Sequence, residues 1–138
     1  MRYCVDASAV LAKIIPDQTT DAVFEFWNTL TRDDELVAPS LVLAECTSVL
    51  RRKAYDGAIE VSQAQSILED LLSLPIRLVD EREQFRLAFE IAGRTRRKNA
   101  YDMQYVAVAL LEHCEMVTLD GGIHQASHEQ RVGARFLR

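Results

Sequence analysis

The sequence is poor in the features that most often announce a function. It carries three cysteines, Cys4, Cys46 and Cys114, widely spaced and each inside an apolar run. No CxxC pair occurs, so no cysteine-based metal pattern is present. The odd number and the spacing read as free, buried thiols in a reducing compartment. No apolar run reaches the ~20 residues needed to span a membrane, and MRYCVDASAV turns acidic too soon for a secretory signal. A cytoplasmic location with no membrane partner is therefore expected. Repeats, low-complexity tracts and linkers are missing. So is an excess of positive charge, since the formal net charge is -5. That argues against a generally basic nucleic-acid binder. Acids gathered in one metal site would weaken the argument and leave a local basic patch instead.

What is present suits an ordinary globular domain. With 138 residues, 49% hydrophobic and 27% charged, one domain over residues 1–138 can bury a real core. Strand-like and helix-like stretches alternate. Strands are expected at 2–5, 36–38, 76–79, 115–119 and 134–137. Helices are expected at 7–15, stopped by Pro16, at 18–31, and from Pro39-Ser40 to about Tyr55. Further helices are expected at 61–73, with Ser62 as a cap, at 80–93, 100–114 and 123–129. Such alternation predicts an α/β sandwich around a mostly parallel sheet. Ligands of such sheets bind beyond the carboxyl ends of the strands. Asp6 and Asp120 each directly follow a strand, which puts both on that edge.

Glu45 is the most informative residue. Leu41, Val42, Cys46, Val49 and Leu50 form an apolar stripe at helical period, and Glu45 falls inside it. A carboxylate there is costly to bury unless it is paired or metal-bound. Three aspartates distant in sequence, Asp6, Asp102 and Asp120, are candidates to converge on it. Each has a plainer reading: Asp6 as a helix cap before Ala7, Asp120 as a turn residue before two glycines, Asp102 as a cap near a helix start. Taken together, four acids form a site for a hard cation such as Mg²⁺ or Mn²⁺. Such an ion offsets carboxylate repulsion, lowers the pKa of bound water and stabilises both oxygens of a phosphodiester displacement. Ser8 and Thr118, two residues from Asp6 and Asp120, are placed to orient a carboxylate, water or phosphate. Their plainer readings are a first-turn backbone hydrogen bond and strand propensity.

VDASAV, PSLVLAE ending in Glu45, AYDMQYVAVAL around Asp102 and VTLD ending in Asp120 together resemble the motifs of PIN-domain ribonucleases. Their order and spacing are most similar to VapC-type toxins of type II toxin–antitoxin pairs. The resemblance covers essentially the whole chain. It implies a three-layer α/β/α sandwich and Mg²⁺- or Mn²⁺-dependent cleavage of RNA. It places Asp6, Glu45, Asp102 and Asp120 in the acidic site, with Ser8 and Thr118 beside them. It also implies a homodimer and a cognate antitoxin. Met103 departs from the alanine common after the aspartate, which puts local geometry in question.

Arg94, Arg96, Arg97 and Lys98 precede Asp102 and read either as RNA-phosphate contacts at the cleft rim or as a solvated loop. Arg51, Arg52 and Lys53 have the same two readings. His124 and His128, four apart, fit a metal pair or, far more commonly, a surface helix face. His113 reads as a helix C-terminal residue. Phe26 and Trp27 read as core or dimer interface, and the Val23, Phe26, Trp27, Leu30 stripe with the 67–72 stretch suggests self-association. An apolar groove between the helices at 18–31 and 41–55 is the expected seat of a partner helix. Competing functions are an aspartyl-nucleophile phosphohydrolase, disfavoured because Ser8 stands where a second acid belongs, a stand-alone RNA-processing nuclease, and a non-catalytic module with an acidic partner-binding pocket.

Overall fold

The computed structural model describes residues 1–138. Five strands, β1 (Arg2–Val5), β2 (Glu35–Pro39), β3 (Ile76–Val79), β4 (Glu115–Thr118) and β5 (Ala134–Phe136), form one sheet in the order β3-β2-β1-β4-β5. Every pairing is parallel. Seven helices connect them: α1 (Ala7–Ile14), α2 (Asp21–Thr29), α3 (Leu41–Tyr55), α4 (Val61–Ser73), α5 (Arg82–Arg94), α6 (Met103–Leu111) and α7 (Gly121–Glu129). Helix α1 packs with α2, α3 and α4, and α6 packs with α5 and α7. The result is the expected three-layer α/β/α sandwich. No helix is long and apolar enough to cross a membrane.

The core explains the apolar runs. Cys4, Val5, Val37, Ala38, Met116 and Val117 of the sheet are fully buried, as are Val106, Ala107 and Val108 of α6. Parallel strands covered on both faces have no polar face to present, so they read as continuous apolar runs. All three cysteines are free and buried. Met103 is fully buried as well; its flexible thioether fits where the resemblance expected alanine. Val23 and Phe26 are consumed by this core, and Phe26 packs edge-on against Tyr3 and Trp27. Trp27 and Leu30, of the same stripe, stay partly exposed.

Element ends differ from the sequence expectation where capping chemistry intervenes. Helix α2 starts at Asp21 because the Thr20 hydroxyl accepts from the Val23 amide, and Pro16–Gln18 is a separate 3-10 turn. Helix α4 is capped not by Ser62 but by a reciprocal box of Glu60 and Gln63. Ser40 does not cap α3; its hydroxyl donates to Asp80 at 2.7 Å. Helix α6 is shorter at both ends. It is stopped at His113, which adopts a left-handed φ of 55° as helix-terminating residues do.

The chain leaves β1 toward β2 and β3 on one side, then returns to β4 and β5 on the other. The crevice between β1 and β4 is therefore the point where strand order reverses, the place where parallel sheets bind ligands. Met116 lies at the middle of β4 with no exposure. Met116→Ala is expected to cost about 2–5 kcal/mol, measured as a lowered urea midpoint with an unchanged m-value.

Candidate active site

The carboxyl ends of β1 and β4 are tied together by one buried carboxylate. Asp6 is 1% exposed. Its Oδ1 accepts from the Ala9 amide at 3.0 Å, capping α1, and from the Ser8 hydroxyl at 2.6 Å. Its Oδ2 accepts from the Thr118 hydroxyl. Thr118 Oγ1 in turn accepts from the Asp120 amide at 2.8 Å, and Ser8 Oγ from the Leu119 amide at 2.8 Å. Capping and cleft membership are thus the same fact at Asp6. Its carboxylate offers about four acceptor positions and three are used, so one remains for a ligand. Ser8 and Thr118 hold the Asp6 carboxylate and the chain that delivers Asp120.

The other acids arrive on helices. Glu45 projects from α3 and is half-buried; its Oε1 accepts from the Tyr105 hydroxyl at 2.6 Å. Asp102 stands at the head of α6 without making a capping hydrogen bond, so the cap reading fails and its carboxylate is uncommitted. Asp120 is exposed and caps α7 through the Ile123 amide at 2.9 Å. Asp6, Ser8, Glu45, Asp102, Tyr105 and Asp120 line one cavity of about 460 Å³, with Arg52 also on its wall. Sequence reasoning missed Tyr105 as a site residue. The available signal was its position three after Asp102, which puts both on one helix face.

Electrostatics set this cavity apart. Burial pushes the Asp6 carboxyl above the usual range, against the opposing effect of its hydrogen bonds from Ser8, Thr118 and Ala9. Burial also raises Glu45. The Tyr105 bond opposes this, while repulsion from Asp102, Asp6 and Asp120 adds to it. Asp102 is raised by burial and by Asp120 and lowered by Arg97. Burial and the Glu45 carboxylate push the Tyr105 hydroxyl well up, so it stays a proton donor.

The basic residues separate. Arg97 donates to the Gly122 carbonyl at 2.6 Å. Its guanidinium lies about where a side chain at Gly122 would have to go, with nitrogens 3.1 and 3.3 Å from that position, beside Asp120 Oδ1. Its Nε is buried without a partner. Arg94 belongs to α5, not to a loop, and is engaged by Glu90 at 3.1 Å and Gln130 at 2.9 Å. Arg96 and Lys98 are exposed, and neither they nor Arg94 line the cavity.

The donor set is oxygen only, which fits a hard cation and not a thiolate- or imidazole-seeking one. As placed, no three His, Cys, Asp or Glu side chains stand close enough together to hold a metal ion. The acids instead line a wide cleft, which suits an ion that keeps much of its water, as Mg²⁺ does.

Raised carboxyl pKa values carry a definite sign. The fold binds these protons more tightly than the unfolded chain, so the favourable contribution is complete below the ordinary Asp value of about 4. It is lost as pH rises through the higher folded value, leaving a constant penalty above. Asp102 makes no hydrogen bond that asparagine would break. In EDTA, Asp102→Asn is expected to match the parent protein in thermal midpoint near pH 4 and to exceed it at pH 7. An equal midpoint at both pH values would contradict the repulsion described here.

Comparison with known proteins gives a consistent result. No curated protein sequence matches significantly. Among solved structures, the chain is similar to PAE2754 from Pyrobaculum aerophilum, at 21% identity and TM-score 0.74, over 99% of this chain and 90% of that one. It is similar to VapBC2 from Rickettsia felis bound to a DNA fragment from their promoter, at 17% identity and TM-score 0.75, over 99% and 98%. It is also similar to VapC20 of Mycobacterium tuberculosis, described as a sarcin–ricin loop cleaving toxin, at 20% identity and TM-score 0.66, over 90% and 94%. These likenesses establish the fold. The family whose pattern matches is the PIN domain, over residues 3–129. With that match spanning nearly the whole sequence, the chain belongs to the PIN domain family, a family of nucleases.

Proposed function

We propose that this protein is a metal-dependent endoribonuclease, a single nuclease domain over residues 1–138, and the toxin of a toxin–antitoxin pair. The observation that carries the reading is the convergence of Asp6, Glu45, Asp102 and Asp120 on one cleft at the switch point of the sheet. Asp6 and Asp102 would be the principal holders of Mg²⁺ or Mn²⁺, and Glu45 and Asp120 would help to hold it or orient the attacking water. The ion, when bound, lowers the pKa of a water and offsets charge on the phosphodiester. Glu45 is aimed by the Tyr105 hydroxyl, as second-layer hydrogen bonds aim ligands generally. Ser8 and Thr118 keep Asp6 in place. Water attacks in line at phosphorus, leaving 5′-phosphate and 3′-hydroxyl ends.

RNA contacts follow the charges. Arg52, on the cavity wall, and the exposed Arg96 and Lys98 are the available phosphate-binding groups in this reading. Arg97 serves the site from within, and Arg94 contributes least because Glu90 and Gln130 occupy it.

A cytoplasmic ribonuclease needs restraint. Similarity to VapBC2, and to a toxin that cleaves the sarcin–ricin loop, supports a cognate antitoxin. A cleft of four carboxylates favours entry of a partner Arg, whose planar fork makes charge-assisted contacts. We place the partner helix in an apolar groove of about 420 Å³ between α3 and α4, lined by Leu50, Ala54, Val61, Ala64 and Leu68; α2, which the sequence reading set beside α3, packs against α1. A homodimer is part of the same proposal. A stand-alone RNA-processing nuclease is the second reading, favoured if no partner binds.

Single-turnover RNA cleavage in Mg²⁺, Mn²⁺ or EDTA tests the core claim. Asp6→Asn and Asp102→Asn are each expected to reduce the rate by about 10²-fold or more, with circular dichroism unchanged; undiminished cleavage by both would sink the assignment. Tyr105→Phe, which frees Glu45, is expected to lose about 10- to 100-fold. For the basic residues, Arg96→Ala with Lys98→Ala should flatten the salt dependence of RNA binding by about one slope unit for each side chain replaced. An unchanged slope would make both residues solvated surface.

A further inference from the structure

A second cluster of ligating side chains lies on α7, beside the carboxylate cleft but outside its lining. His124 and His128 are one turn apart, and their Nε2 atoms stand 3.1 Å from each other. Two imidazole nitrogens bound side by side to one ion, each at about 2.0–2.1 Å with an angle between 90° and the tetrahedral value, stand roughly 2.8–3.4 Å apart. The observed separation falls inside that interval. The His124 ring is also held in place. It stacks on Phe136 at 4.7 Å with 18° between planes and meets His128 edge-on. A pair that is already converged loses little side-chain freedom on binding an ion.

We propose that His124 and His128 form a second metal site, taking a borderline transition cation such as Zn²⁺, Ni²⁺ or Cu²⁺. The ligand type sets the class, since imidazole suits these ions whereas the all-oxygen cleft suits Mg²⁺ or Mn²⁺. Desolvation and the charge of His128 lower the His124 pKa, which keeps that ring neutral and able to ligate. Gln125 and Glu129, on the same helix, are hydrogen-bonded to each other at 3.0 Å, so the remaining coordination positions fall to water or to a donor from outside. Arg138 lies 5.5 Å from the Phe136 ring and adds positive charge nearby, which lowers the site's affinity for a cation. The site adjoins the cleft without sharing its residues: α7 carries Asp120 at its head and the histidine pair farther along. An ion clipping one turn of α7 would stiffen the helix that presents Asp120.

The test is calorimetric titration of the untagged full-length protein with Zn²⁺ in a millimolar excess of Mg²⁺. The parent protein and Asp102→Asn are each expected to take up one Zn²⁺ per chain. His128→Ala, at an exposed position, and His124→Phe, which preserves an aromatic ring against Phe136, are each expected to weaken that uptake about tenfold or more while circular dichroism is unchanged. Absence of Zn²⁺ uptake by the parent protein would overturn the proposal, because the two rings would then share only a proton. Uptake retained by both histidine variants, or lost in Asp102→Asn, would place the ion in the carboxylate cleft and overturn it equally.

Discussion

The structure turns on a carboxylate almost wholly withdrawn from water. Asp6 sits at the end of the central strand, and burying a bare charge there costs several kcal/mol or more. The fold meets that cost with three donors from two elements: the Ala9 amide and the Ser8 hydroxyl of α1, and the Thr118 hydroxyl at the end of β4. The same bonds start α1, lock β1 against β4 and, through the amides of Leu119 and Asp120, fix the turn that follows β4. Loss of Asp6 therefore disturbs more than a ligand. That is why asparagine, which preserves the cap acceptor, is the informative replacement and alanine is not.

The two ends of the sheet handle acids in opposite ways. At the amino edge, Glu35 is bound by Arg2 and Arg77, and Glu112 by Arg77 at 2.9 Å. Those arginines hold both carboxyls below their usual range. The residues are solvated enough that the network contributes only modestly to stability. At the carboxyl edge, Asp6, Glu45 and Asp102 are raised instead. Nothing in the fold requires that difference, because arginines are available to the chain. Stability has been left unrealised at one edge only, the usual mark of a functional site.

Much of this was legible in the sequence because the governing signals are local. The apolar runs of the parallel strands and Pro16 after α1 mark their elements with short-range chemistry. The site was legible for a different reason: an acid directly after a strand in an α/β fold has only one edge to occupy, and that argument holds for Asp6 and Asp120 without knowledge of packing. What escaped was tertiary. Tyr105 becomes a site residue only when α6 is laid beside α3. Arg94 and Arg97 stand three residues apart and look equivalent in sequence, yet one is spent on Glu90 and Gln130 and the other reaches the Gly122 carbonyl. The capping box of Glu60 and Gln63 displaced Ser62 because a reciprocal pair satisfies two orphan donors where a single hydroxyl satisfies one.

Arg97 shows how the acids are tolerated before any ion arrives. Its charge is the one influence that lowers Asp102, and its bond to the Gly122 carbonyl places it beside Asp120. A glycine at 122 gives it room, since a methyl group there would stand 3.1 Å from the guanidinium and push it aside by a few tenths of an ångström. The double glycine after Asp120 therefore does more than make a turn: it admits a cation to the rim of an acidic cleft. Moving that cation away would remove the charge that lowers Asp102 and leave the Gly122 carbonyl without its donor. The basic segment before α6 is thus divided by depth, with the partly buried Arg97 balancing the site and Arg96 and Lys98 left exposed.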